Sequence, residues 1–438
     1  MQTLQQLQSG ELIGTKRLTL SCGLTEFPKA IYNLAETLEV LDLSNNSLST
    51  LPHDFIRFVK LKILFLSNNQ FTIFPEVLGL CQSLTMIGFK SNQITYISEK
   101  ALPTTTRWLI LTNNRLQALP KSIGNCLPMQ KLALAGNQLQ TLPEELANCK
   151  NLGLLRISAN QLQALPTWLL AMPKLSWLAF SGNPFSKKSH NTVPLQTISW
   201  QQLSLTNQLG EGASGIISKA IWQKENGVEE AVAVKVFKGS VTSDGYPEDE
   251  MDACILAGNH PNLVTVLGKI TNHPLRQQGL VLGLIPPIFR NLGLPPSFDT
   301  CTRDVFLPGT AFSIQKVVAI VLSIASAAAH LHSCGIMHGD LYAHNTLVDI
   351  EANTLFGDFG AASLYDVTEP NTATALQQIE VSAFGCLLQD LLAHTMFNEE
   401  HHTAMDVLTT LQQACLQPTV LNRPNFVSII EILKGIKI

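Results

Sequence analysis

LEVLDLSNNSLSTLP, residues 38–52, governs the reading of the first half of the chain because it returns at an almost fixed interval. It comes back as LKILFLSNNQFTIFP (61–75), LTMIGFKSNQITYI (84–97) and TRWLILTNNRLQALP (106–120). MQKLALAGNQLQTLP (129–143), LGLLRISANQLQALP (152–166) and LSWLAFSGNPF (175–185) continue the series. The ladder Asn46, Asn69, Asn92, Asn114, Asn137, Asn160, Asn183 climbs in steps of 23, 23, 22, 23, 23 and 23 residues. RLTLSCGLTEFP (17–28) fits the same frame with Gly23 at the Asn position, which makes eight repeats. Alternating Leu side chains of one short strand per repeat point inward, and each Asn can bond the backbone of the turn that follows. Stacked repeats then share one continuous core.

This pattern, over residues 15–185, resembles the leucine-rich-repeat fold, a horseshoe with a concave parallel sheet. In such a horseshoe the outward strand positions Val40, Ile63, Phe65, Met86, Trp108, Ile110, Leu154 and Trp177 line the concave face. A row of exposed apolar and aromatic side chains suggests a protein-binding surface, so Phe65, Trp108 and Trp177 are the candidate contacts for a protein partner or substrate.

The bulk numbers bound the rest. A chain of 438 residues is too long for one core, so two domains are expected. Hydrophobic residues at 45% and charged ones at 14% describe globular protein. The start MQTLQQLQSGELIG lacks the basic flank and apolar core of a leader, and no run of 18 uninterrupted apolar residues occurs, so no membrane span is expected. Cys81, Cys126 and Cys149 recur at one place in the repeat frame, which reads as small buried packing. With no CxxC pair, a reducing, cytoplasmic location is expected. NEEHHTAMD (398–406) reads as a solvated helix face in preference to a metal site. Residues 1–200 carry 17 Lys and Arg against 10 Asp and Glu, net +7, and residues 201–438 carry 12 against 23, net −11. The acidic half argues against nucleic acid; the basic half hints at an acidic partner or at docking onto the acidic half, with scattered surface charge as the plainer alternative.

The polar segment SKKSHNTVP (186–194) ends the array, placing the repeats in residues 1–190, a linker at 191–199 and a new domain at 200–438. LGEGASGIISKA (209–220) supplies Gly210, Gly212 and Gly215, a pattern that is weak by itself. It is followed by AVAVKVF (231–237), an alternating strand that sets Lys235 in an apolar context. EDEMDACILAGNHPNLVTVLG (248–268) reads as helix, turn and strand. LHSCGIMHGDLYAHNTLV (331–348) and LFGDFGAASL (355–364) come next, and EVSAFGCLLQDLL (380–392) and NRPNFVSIIEIL (422–433) read as buried helices.

In order and spacing these motifs resemble the eukaryotic-like protein kinases across residues 200–438. The fold expected is therefore an α/β leucine-rich-repeat solenoid followed by a bilobal α+β protein-kinase-like domain. The resemblance implies ATP and Mg²⁺ between two lobes, with Leu209 and the three glycines over the phosphates. It implies that Lys235 binds phosphate and pairs with a helix carboxylate, Glu250, or else Asp252 or Glu248. Asp340 would orient and deprotonate the acceptor hydroxyl, and Asn345 and Asp358 would hold Mg²⁺. Gly360 would let the chain turn after Asp358. Leu282 would wall the adenine pocket, with the Ile285 backbone near the base. His338 is read as structural, and His330 and His332 as helix packing.

Three departures matter. Gly339 stands where most relatives have an Arg that pairs with an activation-loop phosphate, so regulation by that phosphate is not expected and the pattern is of the non-RD type. No Ala-Pro-Glu motif lies in the 19 residues from Ala361 to Ile379, so Arg423 needs a carboxylate partner from elsewhere. Tyr342 and His344 stand where relatives place a Lys or Arg, and a protonated His344 could serve instead. Five prolines between residues 282 and 312 predict an irregular connection. The function expected is phosphoryl transfer from ATP to a protein hydroxyl, with the repeats recruiting partner or substrate. A small-molecule phosphotransferase of the HGDxxxxN type and a non-catalytic kinase-fold scaffold are the alternatives.

Overall fold

A 23-residue period leaves room for a three-residue strand, a turn and a tight return. The computed structural model, which describes residues 2–186, 195–212, 214–239, 241–396 and 399–437, has this economy throughout its first half. After helix α1 (Leu4–Ser9) come β1 (Arg17–Thr19), β2 (Val40–Asp42), β3 (Ile63–Phe65), β4 (Met86–Gly88), β5 (Trp108–Ile110), β6 (Lys131–Ala133) and β7 (Leu154–Arg156). They pair in parallel with neighbours in step, Leu41 beside Leu64 and Leu64 beside Ile87. Most return legs are short 3₁₀ turns entered through a proline such as Pro52, Pro75 or Pro120, whereas the leg between β4 and β5 is an irregular run of turns. A helical leg appears only at α2 (Thr167–Leu170). Residues Met1–Met172 with Asn183–Phe185 form one unit, and Pro173–Gly182 with Ser186–Ile438 form the other.

The Asn ladder does what its spacing predicts, and it also ties each repeat to the one before. Asn114 Nδ2 donates to Leu111 O at 3.0 Å in its own turn and to Phe89 O at 2.8 Å one repeat back, while its Oδ1 accepts from Ile94 N at 2.9 Å. The residue just before the ladder position is left-handed in repeat after repeat, with φ of 59° at Asn45, 54° at Asn68 and 71° at Gly136, which explains the preference there for Asn and Gly. Asn114→Ala leaves buried backbone groups without partners, each worth about 1–3 kcal/mol. Urea unfolding of the variant is expected to lose at least that much stability, and an unchanged midpoint would refute the role.

The expected row of open apolar positions is shorter than the sequence suggests. Ile63, Met86 and Leu154 are buried, whereas Val40, Phe65, Trp108 and Ile110 are half-buried. Strands about 4.8 Å apart let neighbouring side chains cover one another. The Phe65 ring lies over Gly88, and Lys131 Nζ sits 4.3 Å from the Trp108 ring centre.

The second unit opens with β8 (Trp177–Ala179). Its small lobe is a six-stranded sheet of β9 (Thr197–Ser199), β10 (Leu203–Glu211), β11 (Gly215–Gln223), β12 (Glu229–Phe237), β13 (Val266–Thr271) and β14 (Gly279–Gly283), with α3 (Pro247–Ala257) between β12 and β13. The strand order is β10-β11-β12-β14-β13-β9. Strand β9 falls in the stretch expected to be linker, yet it pairs with β13 and buries Ile198 completely beside Val232, Val234 and Val281, so the small lobe begins before residue 200. The remainder of the 191–199 linker lies outside the described residues up to residue 194.

The connection from 284 to 313 is irregular apart from β15 (Arg290–Asn291), as its prolines predict. The large lobe follows: α4 (Ile314–Ser333), β16 (Ile336–Met337), β17 (Thr346–Val348), β18 (Thr354–Phe356), β19 (Ser363–Leu364), α5 (Pro370–Ala393), α6 (His402–Cys415) and α7 (Phe426–Lys434). Helix α4 is long and apolar enough to cross a membrane by length and composition, but most of it is buried against α7, α5 and β18 as the core helix of the lobe. All nine cysteines are unpaired, and burial pushes the Cys126 thiol up to about 12. Among the described residues no group of His, Cys, Asp and Glu forms a metal-binding cluster; the stretch 398–406 lies partly outside them.

Candidate active site

The turn between β10 and β11 is closed by Gly212 N–H donating to Gly215 O at 2.9 Å. A Cβ on Gly210 or Gly212 would meet nothing within 4 Å, so packing does not demand glycine at either; the space is open to a ligand. Gly215 lines the same cleft, and it has a second reason to be glycine, since a Cβ there would come within 2.6 Å of Val236 O in the close β11–β12 pairing.

Across the sheet, alternation along β12 sends Lys235 under this turn while Val234 fills the core. Helix α3 starts at Pro247 with three acidic residues in its first turn, and its register turns Glu250 inward. Lys235 Nζ bonds Glu250 Oε1, with 12% and 2% of the two side chains exposed. Burial opposes the ammonium charge, but the Glu250 carboxylate and the more distant Asp358 outweigh it and hold the Lys235 pKa above its ordinary value. Of the other carboxylates considered, Glu248 bonds Gln278 Nε2 at 3.1 Å and Asp252 is exposed.

The large lobe brings the remaining candidates to the same cleft. Asn345 Nδ2 donates to Asp340 Oδ2 at 2.7 Å and to Asp340 O at 3.0 Å, which leaves its Oδ1 as a ligand atom. Asp358 holds a left-handed backbone, φ 59°, while Gly360 does not, so the turn is made at the carboxylate itself and not two residues later. His338 is fully buried, packs on Phe356 and Phe359 and bonds Gly357 O at 3.0 Å, the structural part expected of it. His330 bonds Ala257 O at 2.7 Å. His344 is anchored by Asp304, Nδ1 to Oδ1 at 2.7 Å and backbone N to Oδ2 at 3.1 Å. Burial works against its charge, yet the Asp304 hydrogen bond and the charges of Asp304, Asp340 and Asp358 raise its pKa overall.

Together these residues surround a cleft of about 650 Å³ whose walls include Leu209, Lys235, Leu282, Ile285, Asn345 and Asp358. Asp340 stands outside that lining and is joined to it through Asn345. The donor set suits a nucleotide polyphosphate with a hard cation: a buried ammonium, an amide oxygen, a carboxylate and an open glycine turn.

Two groups that sequence reasoning missed organise this loop. Glu380, fully buried in α5, accepts from Gly339 N at 2.7 Å and from His338 N at 3.3 Å, and lies 2.8 Å from His332 Nε2. Its signal was a single carboxylate in an apolar helical run, which must be paired if buried. Asp304 gave no such signal. His332 is thus more than helix packing.

Two expectations are corrected here. Among the described residues Arg423 finds no carboxylate; it donates to Gln417 O at 2.9 Å, Gln378 O at 2.9 Å and Pro173 O at 2.7 Å, and burial pulls its pKa down to about 10. Trp177 is not an open contact for a partner. It is 3% exposed, stacked on Tyr342 with ring centres 4.5 Å apart, and its indole N–H donates to Leu341 O at 3.0 Å.

Comparison with known proteins finds similarity in both halves of the chain. The family described as protein tyrosine and serine/threonine kinase matches residues 203–387, and leucine rich repeat matches residues 15–71. Cyclin-dependent kinase 10 of Homo sapiens is 27% identical over 221 residues, covering 45% of this chain and 56% of that protein. A probable serine/threonine-protein kinase of Dictyostelium discoideum is 23% identical over 288 residues, covering 55% of this chain and 28% of the relative. The chain thus spans about half the length, or less, of these curated relatives. Among solved structures, a leucine-rich-repeat protein of Leptospira interrogans is 30% identical with a TM-score of 0.39, over 42% of this chain and 47% of that one. Protein kinases of this family generally use ATP and Mg²⁺. The chain joins leucine-rich repeats to a protein kinase domain.

Proposed function

We propose that the chain is an ATP- and Mg²⁺-dependent protein kinase of the non-RD type, which transfers the γ-phosphate to a protein hydroxyl while its repeats recruit partner or substrate. The observation that carries this reading is the Lys235–Glu250 pair facing Asp358 and Asn345 across one cleft. Lys235 would clamp the α and β phosphates, Asn345 Oδ1 and Asp358 would hold the cation, and Asp340 would orient the acceptor and take its proton. Bound Mg²⁺–ATP supplies the phosphoryl group and neutralises the charge that develops on it. A cytoplasmic location belongs to the proposal and is supported by nine unpaired thiols. The test is labelling from γ-phosphate-marked ATP with Mg²⁺ in a host-cell extract. Labelled protein is the expected result; bound ATP with no transfer to any acceptor would refute catalysis.

A small hydroxyl compound as acceptor is the second reading, supported by the brevity of the segment after Asp358, since α5 already starts at Pro370. Labelling of free alcohols without any labelled protein would select it.

A further inference from the structure

Pro173–Gly182, the strand and turn of the last repeat, belongs by its contacts to the kinase unit. It touches the parts of that unit which must be in place for transfer. Trp177 stacks on Tyr342 at an interplanar angle of 4° and bonds Leu341 O, on the loop between Asp340 and Asn345. Phe180 N and Ser181 N donate to Ser363 Oγ at 2.8 and 3.1 Å, in the segment after Asp358. Ser176 Oγ meets Ser382 Oγ at 2.9 Å on α5, and Pro173 O accepts from Arg423. A Cβ at Gly182 would fall 2.8 Å from the Tyr246 ring and 2.9 Å from Asp249 Oδ2, at the start of the helix that carries Glu250.

Gly339 gives the same arrangement a sequence signature. It has φ 74°, and a Cβ there would lie 2.6 Å from Leu178 O and 2.8 Å from Ala361 O. The missing arginine is therefore a steric requirement: its place is taken by the repeat backbone. Where relatives hold the catalytic loop through a phosphate on a long activation loop, this chain has strand β8 against a segment that ends at Glu369.

We propose that Pro173–Gly182 is a built-in substitute for a phosphorylated activation loop, with Trp177 as the positioning residue that holds the loop carrying Asp340 and Asn345. This rests on the kinase reading above. It makes the last repeat part of the catalytic unit and makes transfer independent of phosphorylation.

The experiment uses the full chain and compares wild type with Trp177→Ala, Trp177→Phe and Ser363→Ala. It measures kcat and KM for ATP, together with hydrogen exchange of residues 338–345. Trp177→Ala is expected to lower kcat about 10- to 100-fold, the scale of a small misplacement of catalytic groups, with KM for ATP unchanged and faster exchange in the loop. Trp177→Phe, which keeps a ring but loses the N–H, should fall between, and phosphatase treatment of wild type should change nothing. Wild-type kcat and loop protection in both Trp177 variants would overturn the proposal, as would loss of wild-type activity after phosphatase. If Trp177→Ala does not fold, Trp177→Phe and Ser363→Ala decide by the same two readouts. If wild type transfers no phosphate, the kinase reading fails, and loop exchange alone decides whether Trp177 holds the loop.

Discussion

Asp340→Asn is expected to lower phosphoryl transfer by about 10²–10⁴-fold, the usual worth of a positioned general base, while nucleotide binding persists. The split follows from geometry. Asp340 does not line the nucleotide-sized cleft, whereas Lys235, Asn345 and Asp358 do. Its Oδ2 is held by Asn345 Nδ2 at 2.7 Å, and an Asn side chain of the same shape can keep that bond through its own oxygen. What the variant cannot do is accept a proton from the acceptor hydroxyl. The measurement is transfer from labelled ATP beside equilibrium binding of ATP with Mg²⁺. Transfer at the wild-type rate would remove Asp340 from the chemistry. Loss of binding and transfer together would mean that the carboxylate shapes the cleft and does not act as base.

The repeats were legible because their signal is redundant: seven Asn positions at a near-constant step leave one fold, and each makes the backbone bonds that its position requires. Lys235, Asn345 and Asp358 were legible through the order and spacing of kinase-like motifs, whereas Glu250 was only the first of three candidate carboxylates until the register of α3 turned it inward. Sequence did not reveal what lies opposite a missing residue. Gly339 reads as the loss of an arginine, and Arg423 as a cation in search of a carboxylate. In the fold one makes way for Leu178 O and the other is satisfied by three carbonyls, Pro173 O among them. Both partners come from a segment more than 150 residues away along the chain, assigned by its period to the repeats. Trp177 was misread for the same reason: strand alternation tells which face a side chain takes, not what meets that face.

Glu380→Gln is expected to destabilise the kinase unit by about 3–5 kcal/mol, because it breaks a buried charged cluster by removing one member. Two backbone N–H groups and His332 Nε2 converge on the two carboxylate oxygens. A glutamine offers one oxygen and one NH₂, so a donor must face a donor. Burial alone would raise the Glu380 pKa, but His332, the charge of His338 and the Gly339 N–H lower it below the ordinary value near 4.5. A folded pKa below the unfolded one contributes stability that is fully present above about pH 4.5 and is lost as pH falls through the folded value. The gap between wild type and Glu380→Gln in urea unfolding should therefore be widest near neutral pH and narrow in acid. A gap that widens in acid would mean that the carboxyl is protonated in the fold. Because the same oxygens hold Gly339 N and His338 N, the variant should also loosen the loop ahead of Asp340. Faster exchange at residues 338–340 with the repeat strands β1–β7 still protected would place the effect there, and uniform loosening of both units would refute a local role.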